Sequence, residues 1–93
     1  MFLEIVTPEA VLFSSEVTSV AVPGTNGEFQ MLNNHAPIVS SLTAGTIKIE
    51  ASNVSIDEKF EDKFTKTNDG RLSFEINSGT LEMKDNKAII LAD

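Results

Sequence analysis

The chain has 93 residues, 41% of them hydrophobic and 23% charged, with 14 acidic against 7 basic side chains and a formal net charge of -7. That length supports one compact domain with a modest core, the composition excludes global disorder and low complexity, and the acidic balance argues against a nucleic-acid backbone or an anionic lipid surface as the main partner. The absence of cysteine removes disulfides, thiolate metal sites and a thiol nucleophile from consideration.

The opening residues Met1 to Pro8 lack a basic stretch and are interrupted by Glu4, and no apolar run approaches the roughly 20 residues that span a bilayer. A soluble chain without a signal peptide is expected. Leu3 and Ile5 alternate with Glu4, which predicts a first strand ending at Pro8. Further strands are predicted over Val11 to Phe13 and Val17 to Val22, the latter ended by Pro23-Gly24.

The segment 23–37 concentrates unusual residues: two of the three prolines, two of the five glycines and the only histidine. Asn26-Gly27 signals a tight reversal, because Asn tolerates the left-handed backbone and Gly adopts it at no steric cost. Glu28 to Leu32 then forms the returning strand, Asn33-Asn34 turns the chain again, and Pro37 holds Ala36 extended so that His35 sits on a stiff, non-helical segment. Ile38 to Leu42 and Thr46 to Ala51 are predicted strands on either side of Gly45.

Residues 52–70 admit two readings. Ser55-Ile56-Asp57-Glu58 matches a capping box and Ile56, Phe60 and Phe64 recur every four residues, which suits a short helix. Phe60, Asp62, Phe64 and Lys66 also fit a period-two strand, and a helix this short needs tertiary support. Asn68-Asp69-Gly70 is a turn; Leu72, Phe74 and Ile76 alternate with polar residues; and Asp85-Asn86 makes a two-residue loop between strands around Leu81–Met83 and Lys87–Leu91. About ten short strands with closely spaced turn signals define an all-β chain, an antiparallel β-sandwich or flattened barrel over residues 1–93.

Chemistry is sparse. His35 is the tempting general acid or base, yet Ser40 and Ser41 carry no nucleophile elbow or triad context, so a structural or interface role is preferred to a hydrolase. Asp57, Glu58, Glu61 and Asp62 lack the spaced oxygen ligands of a calcium loop and read as a solvated face. Gly24 and Gly27 make no phosphate-binding loop, so no nucleotide, metal or other cofactor is expected. Phe29 and Met31 are read first as core, and otherwise as an apolar patch that docks a partner together with the 33–37 turn, the action of a small β-sandwich adaptor.

Leu3 to Glu9, Leu12-Phe13-Ser14, Val20 to Phe29 and Asn34-His35-Ala36-Pro37, with the closing Ser78 to Met83 and Ile89 to Asp93, resemble the N-terminal domain of the epsilon subunit of the rotary F-type ATP synthase, whose mitochondrial counterpart is called delta. The Pro-Gly-x-x-Gly-Glu and His-Ala-Pro turns at this spacing carry the resemblance, which spans the chain except residues 52–70. It implies a non-catalytic β-sandwich on the central rotor stalk, at the cytoplasmic face of the bacterial plasma membrane, bound to the gamma subunit and to the loops of the membrane c-ring. By the same resemblance Glu28, Phe29, Asn34 and His35 face the ring, while Thr7, His35 and Ser40 lie toward gamma. The two regulatory C-terminal helices of the family have no counterpart here, so regulation by helix extension and ATP sensing is not expected. Ser78-Gly79-Thr80, Gln30 and Asn33 depart from the family pattern in the local turns.

Overall fold

The computed structural model describes residues 1–52, 56 and 58–93. It contains ten strands: β1 (Phe2–Val6), β2 (Val11–Glu16), β3 (Ser19–Gly24), β4 (Gly27–Leu32), β5 (Ile38–Leu42), β6 (Gly45–Glu50), β7 (Thr65–Lys66), β8 (Leu72–Ile76), β9 (Gly79–Lys84) and β10 (Lys87–Ala92), with a 3-10 helix at Glu58–Lys63 before β7. They join in the order β2-β1-β10-β9-β5-β3-β6-β8-β7, and β4 pairs with the remaining edge of β3. Every pairing is antiparallel except β1 with β10, where Phe2 lies opposite Lys87.

The alternation of apolar and polar residues sets which side of each strand turns inward. Leu3, Ile5, Val20, Val22, Met31, Ile47, Leu81 and Ile90 are fully buried and belong to one core cluster drawn from both halves of the sheet. The sheet therefore curls over itself, and the fold line is the single β3–β5 pair, Gly24 opposite Leu42. The all-β sandwich read from the sequence is the architecture observed.

Several local boundaries differ from the sequence reading: β2 runs on past Phe13 to Glu16, β6 takes in Gly45 and stops at Glu50, β10 extends to Ala92, and the largest changes surround β3. β3 begins at Ser19 rather than Val17 and runs through Pro23-Gly24 instead of ending there. Val17 and Thr18 instead cross between strands, their N–H groups donating to the carbonyls of Met1 (2.8 Å) and Glu50 (2.7 Å). Pro23 is tolerated because it falls beyond Ala21, the last β3 residue paired with β6. The reversal after β3 places Thr25-Asn26 in the loop, with Gly24 opposite Gly27 and Gly27 at φ 119, one residue earlier than an Asn26-Gly27 turn. Asp85-Asn86 is the expected two-residue loop, with φ 51 and 61 as a type I′ turn requires.

Both readings of residues 52–70 were partly right. A short helix forms at Glu58–Lys63, of 3-10 rather than α geometry, and a two-residue strand follows it. Ser55 and Asp57 of the capping box lie outside the described residues. The period of four in Ile56, Phe60 and Phe64 marks the residues that turn toward the core: the first two pack against it and Phe64 is buried.

The Asn68–Gly70 turn is tied by charge. Asp69 accepts a bond from the Thr67 hydroxyl and from Arg71, through the backbone N–H at 3.2 Å and Nε at 2.9 Å. These donors, Thr67 foremost and then Arg71, hold the Asp69 carboxyl at about 2, below its ordinary 3.8. A depressed carboxyl contributes its stability in full above the unfolded value of 3.8 and loses it as pH falls through about 2. An NMR titration of the Asp69 carboxyl is expected to show its midpoint near 2; a midpoint at 3.8 would mean the turn's bonds do not form in solution.

Candidate functional site

β4 pairs only with β3, and β5 pairs with β9 along its length but with β3 only at Leu42. Among the described residues, β4 therefore has one edge without a strand partner, and β5 meets β3 only beside the Gly24–Gly27 hairpin tip. Near the tip, Gly24, Thr25, Asn26, Gly27, Glu28, Phe29 and Ser40 line an open groove. A Cβ on Gly24 would stand 2.7 Å from the Phe29 ring, so the missing side chain at this position is what lets that ring lie over the hairpin.

Glu28, Phe29 and Ser40 are thus brought together. Glu28 is exposed and pairs with Lys48 Nζ at 3.3 Å; Phe29 is half-buried against the core; the Ser40 hydroxyl donates to the Ser41 carbonyl at 3.2 Å. Asn34 and His35 lie elsewhere. They follow Leu32, which pairs with Ser19 at the far end of β3, whereas Glu28 pairs with Pro23 at the tip. Four residues of extended strand separate Glu28 from Leu32, a rise of about 13 Å at 3.3–3.4 Å per residue. The segment 23–37 is therefore not one docking end, and Glu28 and His35 cannot present to the same end of the sandwich.

His35 donates from Nδ1 to the carbonyl of Ala36 at 2.7 Å, since a carbonyl can only accept, which leaves Nε2 as the open ring nitrogen. No hydrogen bond joins His35 to Ser40 among the described residues, whose side chains bond to neighbouring carbonyls instead. Thr7 sits apart again, in the β1–β2 turn, where its hydroxyl and the Ala10 backbone exchange bonds at 3.3 Å. Met31 is wholly buried, which removes it from any docking patch.

One surface was not singled out from the sequence. On the outer side of β2-β1-β10, Val11, Val6 and Leu91 stand in register across three strands, with Val11 and Leu91 half exposed. Val39 on β5 is 78% exposed and lies in register with Glu82 and Ile89. The β3-β6-β8 half carries Ala21, Lys48 and Ser73 in register instead, with Ser19 two residues along β3 and opposite Glu50. The available signal was the run Ile89-Ile90-Leu91, which breaks strict alternation and so puts apolar residues on both faces of β10.

Taken together, these features describe a β-sandwich with an exposed apolar row, an open groove and a hairpin tip that carries Glu28. The family model "ATP synthase, Delta/Epsilon chain, beta-sandwich domain" matches residues 1–61. The ATP synthase epsilon chain of Chlorobium limicola is 40% identical over 91 residues, covering 98% of this chain and 86% of that one. The epsilon chain of Campylobacter curvus is 40% identical over 93 residues, which is all of this chain and 60% of the relative. In structure, a chain of the Tetrahymena thermophila mitochondrial ATP synthase central stalk and c-ring aligns over 99% of this chain and 62% of its own length, with a TM-score of 0.72 and 16% identity, a likeness of fold. The chain belongs to the ATP synthase delta/epsilon family.

Membership bears out the resemblance carried by the two turns of segment 23–37 and sets aside the reading as an unrelated adaptor.

Proposed function

We propose that this chain is a non-catalytic central-stalk subunit of an F-type ATP synthase, which fastens gamma to the c-ring so that ion-driven rotation of the ring turns gamma, on the cytoplasmic face of a bacterial membrane. The observation that carries the reading is the full-length likeness to epsilon chains, at 40% identity over 91 residues. The apolar row Val11-Val6-Leu91, with Val39 beside it, supports it further, because an outer sheet face of this kind gains by being covered.

In this reading the Glu28–Phe29 tip faces the ring and the Asn34–His35 turn, at the other end of β4, lies toward gamma with Thr7; Ser40, which lines the groove beside Glu28, goes with the tip and not with gamma. The ring assignment of Asn34 and His35 is given up because β4 holds them at the end opposite to Glu28.

Assembly of the purified chain with gamma and the c-ring tests the whole proposal; failure to co-purify with both would reject it. Within it, Glu28→Lys removes the carboxylate and puts a second ammonium beside Lys48. Association with a ring bearing cationic loops is expected to weaken roughly tenfold at low salt, with the difference shrinking once the Debye length falls to about 8 Å at physiological ionic strength. Equal affinities of the two proteins at low salt would refute the role of Glu28.

A further inference from the structure

At the end of the sandwich away from the hairpin tip, the Asn33–Asn34 turn meets the Asp85-Asn86 loop. Asn86 holds two segments at once. Its backbone carbonyl accepts the Phe2 N–H at 3.0 Å, and its side-chain Oδ1 accepts the Asn34 N–H at 2.7 Å, across 52 residues of sequence. Asn34 and Asn86 both take left-handed backbone, at φ 62 and 61.

The second loop position of a type I′ hairpin is one where glycine is the easiest residue. Asparagine there costs a little conformationally and adds one thing glycine lacks, a carbonyl acceptor fixed by a two-residue loop. That acceptor is spent on the amide that precedes His35. Beyond it the segment is held by the His35 N–H donating to the Leu32 carbonyl at 3.2 Å and by the His35 Nδ1 bond to Ala36. Asn33 is held separately, its Oδ1 accepting from the Met1 amino group.

We propose that Asn86 is a positioning residue for the His35 turn: its Oδ1 bond to the Asn34 amide fixes the direction in which the turn presents the open Nε2 of His35 to a protein partner. This rests on the reading that the turn contacts gamma. It requires no contact between Asn86 and the partner.

Two variants of the full chain separate the tether from a general effect on folding. Asn86→Gly keeps the hairpin geometry and deletes the acceptor, and Asn86→Asp keeps both. In the isolated chain, Asn86→Gly is expected to speed hydrogen exchange of the Asn34 amide by roughly fivefold or more, as loss of one hydrogen bond predicts, and to shift the His35 ring resonances, with the unfolding midpoint nearly unchanged. Asn86→Asp is expected to restore the slow exchange. Affinity for gamma should fall in Asn86→Gly and recover in Asn86→Asp, with His35→Ala setting the full size of the loss. Unchanged Asn34 exchange in Asn86→Gly would overturn the inference, as would faster exchange with full affinity while His35→Ala binds weakly. Faster exchange with full affinity in both Asn86→Gly and His35→Ala would instead overturn the docking role of the turn, and with it the function of Asn86.

Discussion

Replacing Phe64 by alanine is expected to cost about 3–5 kcal/mol of folding stability, the range for truncating a buried phenylalanine. Phe64 is 8% exposed and stands between the two ends of the sheet. Its ring lies 5.9 Å from that of Phe13 on β2 and 5.1 Å from that of Phe74 on β8, stacked on the latter at 28°. β2 and β7 terminate the strand order and do not pair with each other, so side chains must seal the side of the sandwich that backbone bonds leave open. The 3-10 helix delivers Phe64 to that position, its last turn closed by the Phe64 N–H donating to the Glu61 carbonyl at 3.2 Å. Alanine would leave a void open to one side, exposing Phe13 and Phe74 and removing two aromatic contacts of about 0.5–1.5 kcal/mol each beyond their area. Urea or thermal unfolding measures this, and for a domain of this size the melting temperature should drop by more than about 10 °C. A loss under about 1 kcal/mol would show that the two sheet ends close without the ring.

Gly79→Ala is expected to destabilise by about 1–3 kcal/mol, the cost of forcing atoms into a filled site. In an ordinary strand the change would stabilise by about 0.5–1 kcal/mol, because alanine loses less backbone freedom on folding. The local geometry reverses the sign. A Cβ on Gly79 would stand 2.6 Å from the Leu91 carbonyl oxygen and 3.5 Å from the Ala92 Cα, both of them backbone atoms with no rotamer to give way. Gly79 is the first residue of β9, paired with Ala92 on one side and Leu42 on the other, so neither neighbour can retreat without breaking a ladder. Asp93 adds to the restraint by accepting the backbone N–H groups of Asn77 and Ser78 at 3.3 Å each. Unfolding measurements on Gly79→Ala test this, and a gain in stability would mean that β10 can shift to admit the methyl group.

Gly79 also shows how far turn chemistry can be read from the chain alone. Ser78-Gly79 was legible as a turn, but the usual reason, a left-handed glycine, does not apply at Gly79. Left-handed backbone among the glycines occurs at Gly27 and Gly70. At Gly79 the requirement is close approach to a strand that returns twelve residues later, and no local pattern encodes that distance.

The candidate site was legible as residues and illegible as geometry. Glu28, Phe29, Asn34 and His35 were assigned to the ring by resemblance to the family, and their crowding in a segment rich in turn residues suggested one docking end. An extended strand separates what sequence places close: β4 carries Glu28 and His35 to opposite ends of the sandwich. Ser40 joins Glu28 because β5 folds back beside the hairpin, with Leu42 against Gly24. The apolar row of Val11, Val6 and Leu91 escaped notice because its members come from three strands, two of them joined by a parallel pairing.

By itself the sequence determined that this chain is all-β, where most of its strands lie, which faces of them are buried, and the family to which it belongs. These follow from a period of two and from turn residues, both of which act within a few positions along the chain. The tertiary structure alone decided that β1 pairs in parallel with β10, that Phe64 closes the side of the sandwich between β2 and β8, and that Asn86 holds the His35 turn. Each of these joins residues ten or more positions apart, where side-chain pattern carries no information about distance and only the packing of the whole core selects the partner.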